Sequence, residues 1–98
     1  MKIQQLMKQA QEMQSRLERD LASLVIESSA GGGMVAVKMN GKKQLLSVKI
    51  DPEVLSPEES NMVADLVLIA VNDASRRVDE AVQSNMGNLA AGLGGLLG

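Results

Sequence analysis

The chain has 98 residues, a net charge of -2, 45% hydrophobic and 22% charged residues, and no Cys, His, Phe, Tyr or Trp. This profile fits one small soluble domain and excludes disulfides, thiol nucleophiles, imidazole acid–base chemistry and the usual zinc and iron ligands together. With no aromatic ring to bury, the core has to be built from Leu, Val, Ile, Met and Ala, and self-association would relieve the shortage of buried area.

Charge is divided along the chain. Residues 1–49 carry eight basic and four acidic side chains, whereas residues 50–98 carry two basic and eight acidic, so the halves stand at +4 and -6. A basic half can present a local positive surface in an acidic protein, because salt screens charges beyond about 10 Å.

From Met1 to about Ser23 the pattern is helical. Ile3, Leu6, Met7, Ala10, Met13, Leu17, Leu21 and Leu24 recur at three- and four-residue steps and fall on one stripe. Lys8, Arg16 and Arg19 project from the opposite side among Gln and Ser residues. A heptad seam also fits, until Asp20 interrupts it, so a long coiled coil is not expected. Arg16 is spaced to pair with Glu12 and Asp20, and Lys8 with Glu12.

Leu24 to Glu27 then reads as a short strand, ended by Gly31-Gly32-Gly33. This glycine run lies between strands, precedes no helix and lacks a Gly-Lys-Ser/Thr ending, which makes it a turn and not a phosphate loop. Met34 to Met39 alternates, with Val35, Val37 and Met39 on one face, and Asn40-Gly41 signals a hairpin. The return strand, Gln44 to Ile50, places Leu46, Val48 and Ile50 together. A three-stranded antiparallel meander follows.

Asp51-Pro52 ends the last strand, and Ser56-Pro57-Glu58-Glu59 supplies an N-cap, a proline at the first helical position and a glutamate at the third. The second helix is expected from Pro57 to about Met86. Val63, Leu66, Val67, Ala70, Val71, Ala74, Val78, Ala81 and Val82 form its apolar arc, while Met62, Leu68 and Ile69 fall outside the arc's centre. Apolar residues so widely spread require a second cover besides the sheet, which makes Met62, Leu66, Leu68 and Ile69 the candidate dimer interface. Residues 87–98, rich in Gly and Leu, show no helical periodicity and are expected to be a flexible tail behind a single domain spanning 1–86.

Chemistry-bearing residues are sparse. Asp51, Asp65, Asp73, Asp79, Glu80 and the serines come with no partnering base and no metal-ligand spacing, so no catalytic residue, metal or other cofactor, or small-molecule substrate is expected, and the chain does not read as an enzyme. The seven methionines read as gap-fillers in an aromatic-free core. The start, Met1-Lys2-Ile3-Gln4-Gln5, lacks the apolar core of a secretory signal, and the apolar stretch Met62 to Val71 is too short for a membrane span and broken by Asp65. A cytoplasmic location and no membrane contact are the expectation.

Taken together, several segments resemble the YbaB/EbfC family of bacterial nucleoid-associated DNA-binding proteins. They are Leu6-Met7-Lys8-Gln9-Ala10-Gln11-Glu12-Met13-Gln14, the run Gly33-x-Val35-x-Val37 leading to Asn40-Gly41, Val48-x-Ile50-Asp51-Pro52, and Asp65-Leu66 with Ala70-x-Asn72-Asp73-Ala74. Their order and spacing carry the resemblance over nearly the whole chain. It implies an α+β subunit of α-β-β-β-α order, joined into an intertwined homodimer whose long terminal helices form a tweezer-like clasp on duplex DNA with low sequence specificity. It also implies a nucleoid-associated location, with organisation of the nucleoid and regulation of gene expression as roles. Carried onto this chain, the DNA-binding residues would be Lys8, Arg16 and Arg19 first, and Lys2, Arg76 and Arg77 second. The alternative is a dimeric adaptor whose helical arms hold a partner polypeptide.

Overall fold

The structure is a computed structural model that describes the backbone of residues 2–97 and the side chains of residues 2–84. Its elements run α1 (Ile3–Ser23), β1 (Val25–Ala30), β2 (Val35–Asn40), β3 (Leu45–Ile50), two 3-10 turns (Pro52–Val54 and Pro57–Glu59) and α2 (Ser60–Leu97). This is the expected α+β order, with a three-stranded antiparallel sheet ordered β1-β2-β3.

Alternation sorts the central strand. Val35, Val37 and Met39 turn inward at 0–4% exposure and meet Ala70, Ala74 and Val78 of α2, the last three lying one helical turn apart. Small residues at 70 and 74 let the α2 backbone approach the sheet closely. Around this centre pack Ile26, Ala30, Ile50, Leu66, Val67, Val71 and Val82. The apolar arc read from the sequence is therefore the face that α2 turns to the sheet.

The sheet is covered unevenly. α2 lies over β1 and β2, while on β3 only Ile50 joins the core, and Leu46 and Val48 remain half exposed. A bulge at Lys38/Met39 pairs Met39 with Leu45 and leaves Leu46 out of register. Val48 and Ile50 keep the expected face, opposite Val37 and Val35, but the bulge separates Leu46 from them.

Both turns differ from the simple reading. β1 runs on to Ala30, because Ser28, Ser29 and Ala30 find ladder partners in Val37, Ala36 and Val35. Gly31, Gly32 and Gly33 all adopt positive φ (64°, 67° and 93°), which makes the glycine run a defined left-handed turn. At the β2–β3 turn it is Lys43, not Gly41, that takes positive φ (63°). Asn40, 3% exposed, organises this loop: its Oδ1 accepts from the Lys42 and Gln44 amides and its Nδ2 donates to Gln44 Oε1. Gly41 is required for space, since a Cβ there would stand 2.6 Å from the Leu21 carbonyl oxygen.

α2 starts later and ends later than its sequence signals. Ser56 makes no capping bond, and Pro57–Glu59 form a 3-10 turn that leads into the helix at Ser60. The helix then continues past Met86 through Leu97, along the stretch whose composition predicts a flexible tail. Leu and Ala favour a helix strongly, and periodicity reveals only helices whose residues are sorted by face, which a run of Leu, Ala and Gly scarcely permits. The side chains of residues 85–98 lie outside the described residues.

α1 stands away from this body. None of its residues is buried, and its root is held where the Gly41 amide donates to the Leu21 carbonyl (2.8 Å) and the Leu24 carbonyl (3.1 Å). The radius of gyration is 19.3 Å, against about 13 Å for a compact domain of this length. The molecule measures 68 × 29 × 15 Å.

Candidate nucleic-acid interface

A 21-residue helix extends about 32 Å at ~1.5 Å per residue, so α1 offers a long track with two unlike sides. One side is the apolar stripe, with Ile3, Leu6, Met7, Met13 and Leu17 between 55% and 71% exposed. The other gathers Lys8, Gln11, Glu12, Ser15, Arg16 and Arg19 around a shallow polar depression. Residues 8, 12, 16 and 19 lie on successive turns, so the three cations line up along the axis. Among the described residues, neither Glu12 nor Asp20 forms the ion pair with Arg16 or Lys8 that their spacing allows, and Arg19 also has no carboxylate partner. Lys8, Arg16 and Arg19 are therefore exposed and held in no ion pair, with the unpaired Glu12 carboxylate lying among them. Lys2 is exposed at the N-terminal end of the same helix.

Arg76 and Arg77 sit in a different environment. The inner face of β1 carries Ser28 at 6% exposure, and its hydroxyl donates to Asp73 Oδ2 at 2.6 Å. Asp73 Oδ1 accepts from Arg76 Nη2 at 2.7 Å, and Oδ2 is 2.8 Å from Arg77 Nε. Arg76 also reaches Glu80 through Nη1. The Ser28 hydroxyl and the Arg76 hydrogen bond hold the Asp73 carboxyl down to about 2, against a smaller opposing effect of burial. On the next turn Lys43 Nζ meets Asp79 at 2.8 Å and ties the hairpin to α2. The two sets of candidate cations are thus not brought together: those of α1 are unpaired, and those of α2 are held in ion pairs.

The candidate dimer residues also divide. Met62, Leu68 and Ile69 are 37%, 60% and 55% exposed, while Leu66 packs on its own core and closes over Gly31, where an added Cβ would come within 2.7 Å of Leu66 Cδ1. Residues 62 and 69 share one flank of α2, and residue 68 projects from the other. Two features escaped the residue-level reading. Ser28 is one serine among several and signals nothing until the sheet register points it at Asp73, and Asn40 announces a turn without revealing that it is buried.

A model of the YbaB/EbfC DNA-binding family matches residues 1–93. The chain belongs to that family. It is 50% identical over 92 residues to a nucleoid-associated protein of Koribacter versatilis, covering 94% of this chain and 91% of that one. It is 48% identical to a nucleoid-associated protein of Acidobacterium capsulatum (94% and 90% covered) and 43% identical to one of Chloroflexus aurantiacus (94% and 95% covered). An uncharacterised protein of Helicobacter pylori, solved by crystallography, superposes with a TM-score of 0.69 at 27% identity, covering 90% of this chain and 92% of that one. No helix among the described residues of this family member is long and apolar enough to cross a membrane.

Proposed function

We propose that the chain is a nucleoid-associated DNA-binding protein that acts without catalysis, as a homodimer whose helical arms clasp duplex DNA. The observation that carries this reading is the α1 face, where Lys8, Arg16 and Arg19 stand exposed and, among the described residues, close no ion pair, on a helix that leaves the body. Membership of the YbaB/EbfC DNA-binding family supports it. Three aligned cations on one helix recognise the phosphate backbone, which supplies affinity but carries little base information, so binding is weak in sequence preference. Apolar surface at Leu46, Val48, Met62, Leu68 and Ile69, left open by the subunit's own core, supports dimerisation. Organising the nucleoid and tuning expression are the roles such binding serves, in the cytoplasm.

The test is fluorescence anisotropy of labelled duplexes across a salt series, on protein sized by light scattering. A dimer whose log K falls with log salt by about 0.9 per phosphate neutralised, with similar affinity for unrelated sequences, is the expected result. Changing Lys8, Arg16 and Arg19 to Ala should preserve the dimer, reduce affinity at least tenfold for every sequence, and flatten the slope by up to about 3 for each arm on the DNA. A folded dimer that binds no duplex at low salt, yet retains a stoichiometric protein from nuclease-treated lysate, would make the chain an adaptor instead.

A further inference from the structure

We propose that Asp73 is a fixed counter-charge that withholds Arg76 and Arg77 from DNA phosphates and so confines phosphate contact to α1. The proposal rests on the DNA-binding reading above, and it concerns which of the candidate cations take part. Arg76 and Arg77 are 58% and 52% exposed at their side chains, so burial does not keep a polyanion from them. Their partner does. An ordinary surface ion pair is loose because both side chains swing freely and water competes for each. Asp73 is only 26% exposed and cannot swing away, because Ser28, buried on the inner face of β1, holds Oδ2 at 2.6 Å.

The two guanidiniums thus converge on a carboxylate anchored from the sheet. A phosphate approaching Arg77 Nε meets Asp73 Oδ2 beside it, and one approaching Arg76 meets both Asp73 and Glu80. Two anions would have to share one guanidinium, and the approach is opposed by the charge already there. Arg76 and Arg77 are already paired with Asp73 and Glu80, so neither can displace counterions from DNA without first giving up a carboxylate. Ser28 and Asp73 thereby act as positioning residues. On α1 no carboxylate is anchored in this way, and its arginines remain available.

The arginines of this chain are Arg16, Arg19, Arg76 and Arg77, which gives an internal control. Phenylglyoxal modification of the full chain, followed by peptide mass spectrometry, should label Arg76 and Arg77 several-fold more slowly than Arg16 and Arg19. Asp73→Asn keeps an acceptor for the Ser28 hydroxyl and should bring Arg77 to the α1 rates, with Arg76, still paired to Glu80, rising less. In the anisotropy assay, Asp73→Asn should tighten binding and steepen the salt slope by about 0.9 for each subunit on the DNA. Replacing Arg76 and Arg77 by Ala should change wild-type affinity less than twofold and abolish the gain from Asp73→Asn. Equal reactivity of all four arginines in the wild type, or a loss from the double alanine variant as large as that from the α1 variants, would overturn the proposal. These two measurements decide it even if Asp73→Asn does not fold. Slow labelling of Arg76 and Arg77 in a chain that binds no duplex at low salt would defeat the DNA-binding reading, since the labelling contains no DNA and reports the counter-charge alone.

Discussion

α1 and α2 both carry a pair of arginines with carboxylates at three- or four-residue spacing, and their outcomes are opposite. Glu12–Arg16 and Arg16–Asp20 have the spacing for ion pairs and form none, whereas Asp73–Arg76, Asp73–Arg77 and Arg76–Glu80 all close. Helical spacing makes such pairs possible at a gain of only ~0.2–0.5 kcal/mol each, too little to fix a geometry by itself. What differs at Asp73 is a third partner, Ser28. α2 lies on the sheet, so a strand residue can hold its acid in place, and α1 projects into solvent where nothing does. Availability of charge is thus decided by which helix the fold buries.

The largest effect that tests this contrast is on stability. Ala74→Leu forces extra volume between α2 and the sheet at a position with 0% exposure and should cost about 1–3 kcal/mol in chemical denaturation. Leu17→Ala, on the arm, should cost less than about 0.5 kcal/mol in the isolated subunit. A Leu17 cost that grows on dilution would show that a second subunit covers the stripe, and the arm would then be part of a core after all.

The turns at the two ends of the body come next. Gly31→Ala combines positive φ with a Cβ 2.7 Å from Leu66 Cδ1, and should lower stability by about 1–2 kcal/mol. Gly41→Ala acts on the root of α1, because its Cβ would press on the Leu21 backbone. The expected outcome is local: faster hydrogen exchange at the amide of position 41, with protection in β2 and α2 unchanged. If β2 loosens as well, the arm and the body are coupled more tightly than their contacts indicate.

The smallest effect is the pH dependence of the α2 cluster. Asp73 is held near 2 in the folded chain, while an unfolded Asp titrates at about 3.9. Its folded value is depressed, so its stabilisation is complete above the unfolded value and is lost as pH falls from about 4 towards 2. The difference in thermal midpoint between wild type and Asp73→Asn should be constant above pH 5 and vanish near pH 2. A difference that stays level down to pH 2 would mean that something other than this carboxylate's charge links β1 to α2.

Much of the architecture was legible in the residues, for identifiable reasons. The alternation of Val35, Val37 and Met39 and the arc of Ala70, Ala74 and Val78 reflect burial on one face, and burial is what periodicity measures. Element ends were less legible. Ser56, Pro57 and Glu59 form a capping signature, yet the chain uses that stretch as a 3-10 turn, because a cap is a local preference worth about 1 kcal/mol that the path from β3 onto the sheet overrides. Of the candidate site, the alignment of Lys8, Arg16 and Arg19 could be read directly from helical spacing. The arginines of α2 could be seen to have acids near them, but not to be held by one.

The sequence by itself determined the order of the elements, the inward faces of β2 and α2, the basic side of α1 and the resemblance to the family, since all of these follow from local periodicity and motif order. Only the tertiary structure decided that α1 stands free, that Gly41 is needed for space and not for its φ, and that Ser28 anchors Asp73 between two arginines. Those facts depend on groups far apart in the chain, such as Ser28 and Asp73, meeting across a sheet register that a bulge and two turns set. Spacing along the chain carries no record of such meetings.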